Sequence, residues 1–348
     1  MAEKKVLIEQ PWNWKSFFFQ WEWLLFAVFI LINIINASLS PWYLSVDTFL
    51  TAPMNFLDKA FIVFPMMLVI MLGNIDISVA AIVAFSSVMM GVIFNAGFPM
   101  PVAMILALLI GAACGGINGF LMIKFKELPA MIVTLATMTI FRGAAYIILE
   151  DKAAGGFPEW FSFFAWGYVG PFPFILLVFV VAAICFGILI HKTSFGRKVY
   201  GMGSNLAACK YSGVKTDRII LTVSILTGLM SAVTAIFLTS RMGSTRPNIA
   251  QNYELDVIAM VVLGGVSTSG GTGKIAGPLL AIFIIGFLNY GLGLMNTSAQ
   301  IILIIIGALL ILSVLVINLR FNKKNNWSIK TRQYIEALKR GIKSVKSL

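Results

Sequence analysis

Gly73, Asn74, Asp76 and Ser78 fall in the run GNIDIS, between two long apolar stretches that leave hardly any room for a loop. A helix breaks there. Backbone groups freed by such a break are tolerated in a membrane only where protein or a water-filled cavity surrounds them, and broken helices are common along transport pathways. The alternative for Asp76 is a plain one: a carboxylate at this position caps the start of the next helix. Arg142, in TLATMTIFRGAAYI, is the second unusual residue. A cation at the centre of a membrane helix costs about 2.5–3.5 kcal/mol, so it faces the bundle interior or a cavity and normally has a partner. Glu254 and Asp256, in NYELDVIAMVVLGG, are either that partner or, the favoured reading, caps for their own helix. The run GGTGKIAG invites comparison with a phosphate-binding loop. The comparison fails, because Thr268 stands five before Gly273 and Ile275 replaces the Ser or Thr that follows the lysine. With one histidine, His191, and three scattered cysteines there is no metal-site spacing, and no nucleophile with a base and an orienting group can be assembled. The chain is therefore not expected to be an enzyme or to hold a cofactor.

Composition says what must position these residues. Of 348 residues 59% are hydrophobic and 11% charged, too little polar surface to cover a water-soluble globule. A crossing helix takes about 20 apolar residues. Candidate spans fall near 22–39, 54–72, 77–95, 100–123, 129–149, 172–190, 219–240, 255–270, 275–295 and 299–318. Runs of this length argue against the ten-residue alternating strands of a barrel. The expected fold is an all-α polytopic membrane protein of about ten helices. MLGNIDIS (71–78) and VLGGVSTS (262–269) align at Leu72/Leu263, Gly73/Gly264 and Ser78/Ser269, which suggests two weakly related halves of five spans. Gly111, Gly115 and Gly119 recur every four residues, a pattern for close helix packing.

Cations set the orientation, since short loops rich in Lys and Arg stay on the cytoplasmic side. With the N-terminus inside, the cytoplasmic pieces hold all but Lys59, Arg142, Lys152, Arg241 and Arg246, and the C-terminus is inside as well. The net charge of +12 is then explained by topology and anionic headgroups, and is no evidence for nucleic-acid binding. Three regions result: an interfacial segment 1–21 with Trp12, Trp14 and Trp21, a membrane domain 22–319, and a basic tail 320–348 that reads as an amphipathic surface helix or as disorder. Residues 191–218 are the longest polar interruption of the membrane domain. Six cations (Lys192, Arg197, Lys198, Lys210, Lys215, Arg218) sit among small residues, which favours a compact docking element over a floppy linker.

GNIDIS, LPAMIVTLATMTIFRG, GRKVYGMGSNLAACKYSGVKTDR and YELDVIAMVVLGGVSTSGGTGKIAGPLL are co-linear blocks that cover the chain from about residue 24 to 318. Together they resemble the permease subunits of bacterial ABC importers of the ribose type. The resemblance implies a multi-pass subunit of the cytoplasmic membrane, for a monosaccharide or similar small polar solute. It pairs with a second permease copy or paralogue, receives solute from an extracytoplasmic binding protein, and is driven by cytoplasmic subunits that carry the ATP. It places Gly196, Arg197, Gly203, Asn205, Ala208 and Gly213 on the coupling loop that meets those ATPases. The translocation pathway is then expected from Asn74, Asp76, Ser78, Arg142, Gly264 and Ser267, with Arg241 and Arg246 either docking the binding protein or simply solvated. Asn74 departs from the family's second glycine in this motif. WEWLL (21–25) and GGFPEWF (155–161) look most like the rhamnose and autoinducer-2 branches, with a lean towards a rhamnose-like deoxysugar. The competing class is an ion-coupled secondary transporter. Against it stand the thin supply of ionisable mid-membrane residues, chiefly Asp76 and Arg142, and a large basic loop that a self-sufficient carrier does not need.

Overall fold

The computed structural model describes residues 21–298, 300–309, 311 and 315; the expected aromatic anchor at Trp12 and Trp14 and the basic tail 320–348 lie outside the described residues. The helices are α1 (Trp21–Leu39), α2 (Val46–Thr51), α3 (Leu57–Met71), α4 (Val79–Asn95), α5 (Met100–Lys124), α6 (Ala130–Leu149), α7 (Phe163–Trp166), α8 (Phe174–Lys192), α9 (Ser194–Ser204), α10 (Leu206–Tyr211), α11 (Thr216–Met242), α12 (Tyr253–Leu263) and α13 (Ala276–Leu294), followed by α14 (Gln300–Leu309). Among the described residues, strand is confined to two short antiparallel pairs. β1 (Ala154–Gly155) joins β4 (Ser244–Thr245), and β2 (Tyr168–Val169) joins β3 (Phe172–Pro173). The chain is a helical polytopic membrane protein.

Among the described residues, α1, α5, α6, α8, α11 and α13 are long and apolar enough to cross a membrane. A seventh crossing results if Val46–Asn55 and Leu57–Met71, bent by 60°, count as one. The predicted span at 255–270 is different: α12 ends at Leu263 after 11 residues. At 1.5 Å per residue that is about 16 Å, half the hydrocarbon thickness. α3 and α4, with 15 and 17 residues, are also short. These helices can be short because protein surrounds them. Every residue of α3 is buried, and the bends after α3 and α12 take hydrogen bonds from neighbouring helices, bonds that lipid cannot supply.

Around α3 the core is aromatic. Phe61 stacks on Phe237 of α11 at 5.0 Å and Phe64 on Phe186 of α8 at 5.4 Å. The glycine stripe lies where its spacing predicts close packing. A Cβ on Gly115 would strike the Ser224 carbonyl oxygen, and one on Gly228 would strike the Gly111 carbonyl oxygen, so α5 and α11 touch backbone to backbone. Trp21 is an exception to its expected interfacial role, because its indole N–H donates to the Leu263 carbonyl at 2.9 Å and so ties α1 to the end of α12.

Candidate functional site

The break at 73–78 is stitched into the bundle by three elements. Gly73 has φ +78°, a left-handed conformation that a side chain would strain. Beyond it, Asp76 Oδ1 accepts from the Ser78 N–H at 2.9 Å and from the Ser78 hydroxyl at 2.6 Å. Asn118 of α5 donates its amide to Ser78 Oγ at 2.7 Å. Thr134 of α6 donates to the Ile75 carbonyl and accepts from the Ile77 N–H, each at 3.3 Å. Asp76, Ser78 and Asn118 are all buried, and Asn118 Oδ1 has no hydrogen-bond partner. The carboxylate thus bonds Ser78, the residue at the N-cap of α4, rather than capping that helix itself, and lies inside a broken helix. Asn74, two residues closer to α3, lines a cleft of about 280 Å³ together with Leu72, Lys126, Leu206, Lys210 and Asp217. Behind it, Asn74 and Asp76 border a void of about 10 Å³, close to the space one water occupies.

The other pathway candidates are elsewhere. Arg142 lies about two turns further along α6 than Thr134. It donates to the carbonyls of Pro247 and Ile249 at 2.7 and 2.8 Å. Its direct partners are therefore carbonyls, and Glu254 acts on it only through its charge. Gly264 closes α12 against the backbone of Gly277 and Pro278. Ser267 opens a turn in which Gly270 N–H donates to the Ser267 carbonyl at 3.0 Å. One contact joins the first similar segment to the residues just after the second: Gly271 N–H donates to the Met71 carbonyl at 2.9 Å.

A cluster at the other end of α3 was not foreseen. Lys59 pairs with Asp256 of α12. Arg241, at the end of α11, pairs with Asp58 at 3.0 Å, and its side chain is 17% exposed. The Tyr253 hydroxyl donates to Asp58 Oδ2 at 3.0 Å, Arg241 also donates to the Asn55 carbonyl, and the Lys59 ammonium lies 5.2 Å from the Tyr253 ring centre. Arg241, expected in solvent or at a docking surface, is taken up inside the protein; Arg246 is exposed. The sequence carried one signal, the adjacent Asp58 and Lys59 inside FLDKAF. Asp256, read as a helix cap, is the lysine's partner.

The compact basic element of 191–218 is α9 and α10. Thr193 caps α9 by accepting from the Gly196 N–H at 3.3 Å, and Asn205 caps α10 by accepting from the Ala208 N–H at 2.9 Å. Gly213 turns the chain at φ +77°. Arg197, Lys198, Asn205, Ala208, Lys210 and Tyr211 are exposed, whereas Gly196, Val199 and Met202 are buried. A Cβ on Gly196 would strike the Ile190 carbonyl oxygen, so α9 lies hard against the end of α8. Among the described residues no three His, Cys, Asp or Glu side chains are grouped to hold a metal ion.

Residues 55–314 match the family described as branched-chain amino acid transport system / permease component. The chain is 39% identical over 293 residues to the ribose import permease protein RbsC of Bacillus subtilis, covering 84% of this chain and 89% of the relative. It is 34% identical over 300 residues to the autoinducer 2 import system permease protein LsrD of Escherichia coli K12, covering 84% and 91%. The same figures hold for LsrD of Shigella flexneri. No solved structure matches. By the extent of the family match and the near-complete coverage of these relatives, the chain is a member of the branched-chain amino acid transport system / permease component family.

Proposed function

We propose that this chain is the membrane-spanning permease subunit of an ATP-driven importer for a monosaccharide or similar small polar solute. The observation that carries the reading is the α9–α10 element, a capped and folded basic structure with one face exposed and the other packed on the bundle. A carrier that works alone has no use for such a face, whereas a subunit driven by a separate ATPase needs one. Relatives that import ribose and autoinducer 2 support the solute class and make those two compounds the first to test. Rhamnose rests on segments 21–25 and 155–161 alone.

In this reading α9 and α10 face the cytoplasm, both termini are inside, and the cytoplasmic ATPases, which bind the ATP, dock on Arg197, Asn205, Ala208 and their exposed neighbours. A second permease completes the pathway and an extracytoplasmic binding protein delivers solute, with Arg246 on the receiving surface. The cleft beside Asn74 is the inner mouth, closed in this conformation by the bonded Asp76, Ser78 and Asn118. ATP shifts the subunit between inward and outward states only by the difference in ATPase affinity for the two.

Uptake of labelled ribose, autoinducer 2 and rhamnose into proteoliposomes tests the reading, with this chain, its ATPase and its binding protein present. Uptake that requires ATP and the binding protein supports it. Uptake by this chain alone under a proton or sodium gradient overturns it in favour of a secondary carrier.

A further inference from the structure

The coupling element has an inner side as well as a docking side, and its inner side is made of backbone. A Cβ on Gly203 would strike the Met71 carbonyl oxygen and the Gly271 amide nitrogen, and one on Gly271 would strike Ser204. Three chain segments therefore meet with no side chain between them: the end of α9, the end of α3, and the loop after α12. The Gly271 N–H to Met71 carbonyl bond of 2.9 Å lies in this joint. Beside it the Tyr200 hydroxyl of α9 donates to the Gly273 carbonyl. Burial pushes the Tyr200 phenol up from its usual value, so it stays a donor through the neutral range.

Met71 opens the first of the similar segments, 71–78, and Gly271 follows the second, 262–269, by two residues; the helices before them are tied again at the far end. Lys59 near the start of α3 pairs with Asp256 in the first turn of α12. α3 is thus fastened to α12 at one end and to the loop that follows α12 at the other, where α9 joins them. A backbone contact of this kind cannot yield by rotating a side chain, so a displacement of α9 is passed on rather than absorbed.

We infer that Gly203 and Tyr200 are positioning residues that transmit motion of the coupling element to α3 and α12 as one unit, and that Gly203 takes no part in ATPase docking. The inference rests on the importer reading above for what moves α9. It divides the residues assigned to the coupling loop by resemblance: Arg197, Asn205 and Ala208 face outward, and Gly203 faces in.

The test uses the full complex carrying Gly203→Ala or Tyr200→Phe. In both, the ATPase is expected to copurify as with the unmodified chain, while ATP-driven uptake falls by roughly 2- to 30-fold, the span of a moderate change in coupling. Hydrogen exchange of 71–78 and 267–274 is expected to rise in both segments together. Tyr200→Phe adds no bulk, so it decides the matter if Gly203→Ala does not fold. Loss of ATPase copurification would make Gly203 part of the docking surface and overturn the inference, as would unchanged uptake with unchanged exchange. If the unmodified complex shows no ATP-driven uptake but both segments still loosen together in the variants, the joint stands and the importer reading falls.

Discussion

Asp58, Lys59, Arg241 and Asp256 form a set in which every charge has an opposite partner, and nearly all of it is withdrawn from water. Replacing one member leaves a buried charge without compensation, a change that costs about 3–5 kcal/mol. Lys59→Met is therefore expected to lower the thermal midpoint in detergent sharply, and Lys59→Met with Asp256→Leu to recover most of the loss. A double replacement no better than the single would show that the pair is not the source of the effect. Asp76 stands differently, with hydrogen bonds from Ser78 and no cation in contact. Asp76→Asn keeps an acceptor for Ser78 and should fold. Asp76→Leu leaves the Ser78 N–H and hydroxyl unmatched and should cost about 1–3 kcal/mol, read as a lower melting point; equal melting of the two variants would count against this account. The sequence displayed Asp76 plainly, because a carboxylate in an apolar run is visible by itself. It displayed one half of the cluster, the adjacent Asp58 and Lys59, but not their partners, since Lys59 and Asp256 are 197 residues apart.

Among the helices, the easily read features were those set by local composition. α5, α6, α8, α11 and α13 fall where continuous apolar sequence places them. The end of α12 at Leu263 was hidden, because Gly264 and Gly265 are followed by an apolar valine and the hydropathy average runs on past the break. The chain leaves the helix at Gly265, at φ +83°, and Gly264 lies against the backbone of Gly277 and Pro278, a partner supplied from beyond the loop. The stripe Gly111, Gly115, Gly119 announced a close contact but not its partner, which is α11. Gly115→Val should force the two backbones apart at Ser224 and Gly228 and destabilise by about 1–3 kcal/mol. A melting curve that does not move would mean the α5–α11 contact relaxes freely. Gly116→Val, one position round the helix, meets only the end of the Ile225 side chain and serves as the tolerated control.

At the level of the whole molecule, α3 is the axis. It carries the four-charge cluster at one end and the joint with α9 at the other. The cluster has a bearing on the membrane potential. Two acids and two bases sum to no net charge, so if α3, α12 and the end of α11 that carries Arg241 shift together along the membrane normal, the cluster carries no net charge through the field. One uncompensated charge would couple the motion to voltage by about 2.3 kcal/mol per 100 mV if it crossed the full thickness. Uptake of a neutral solute is thus expected to proceed at the same rate with and without an imposed potassium diffusion potential. Lys59→Met, in liposomes at a temperature where it stays folded, should make that rate depend on the sign of the potential. The pairings that fasten these three helices together also render movement of the cluster as a unit electrically silent.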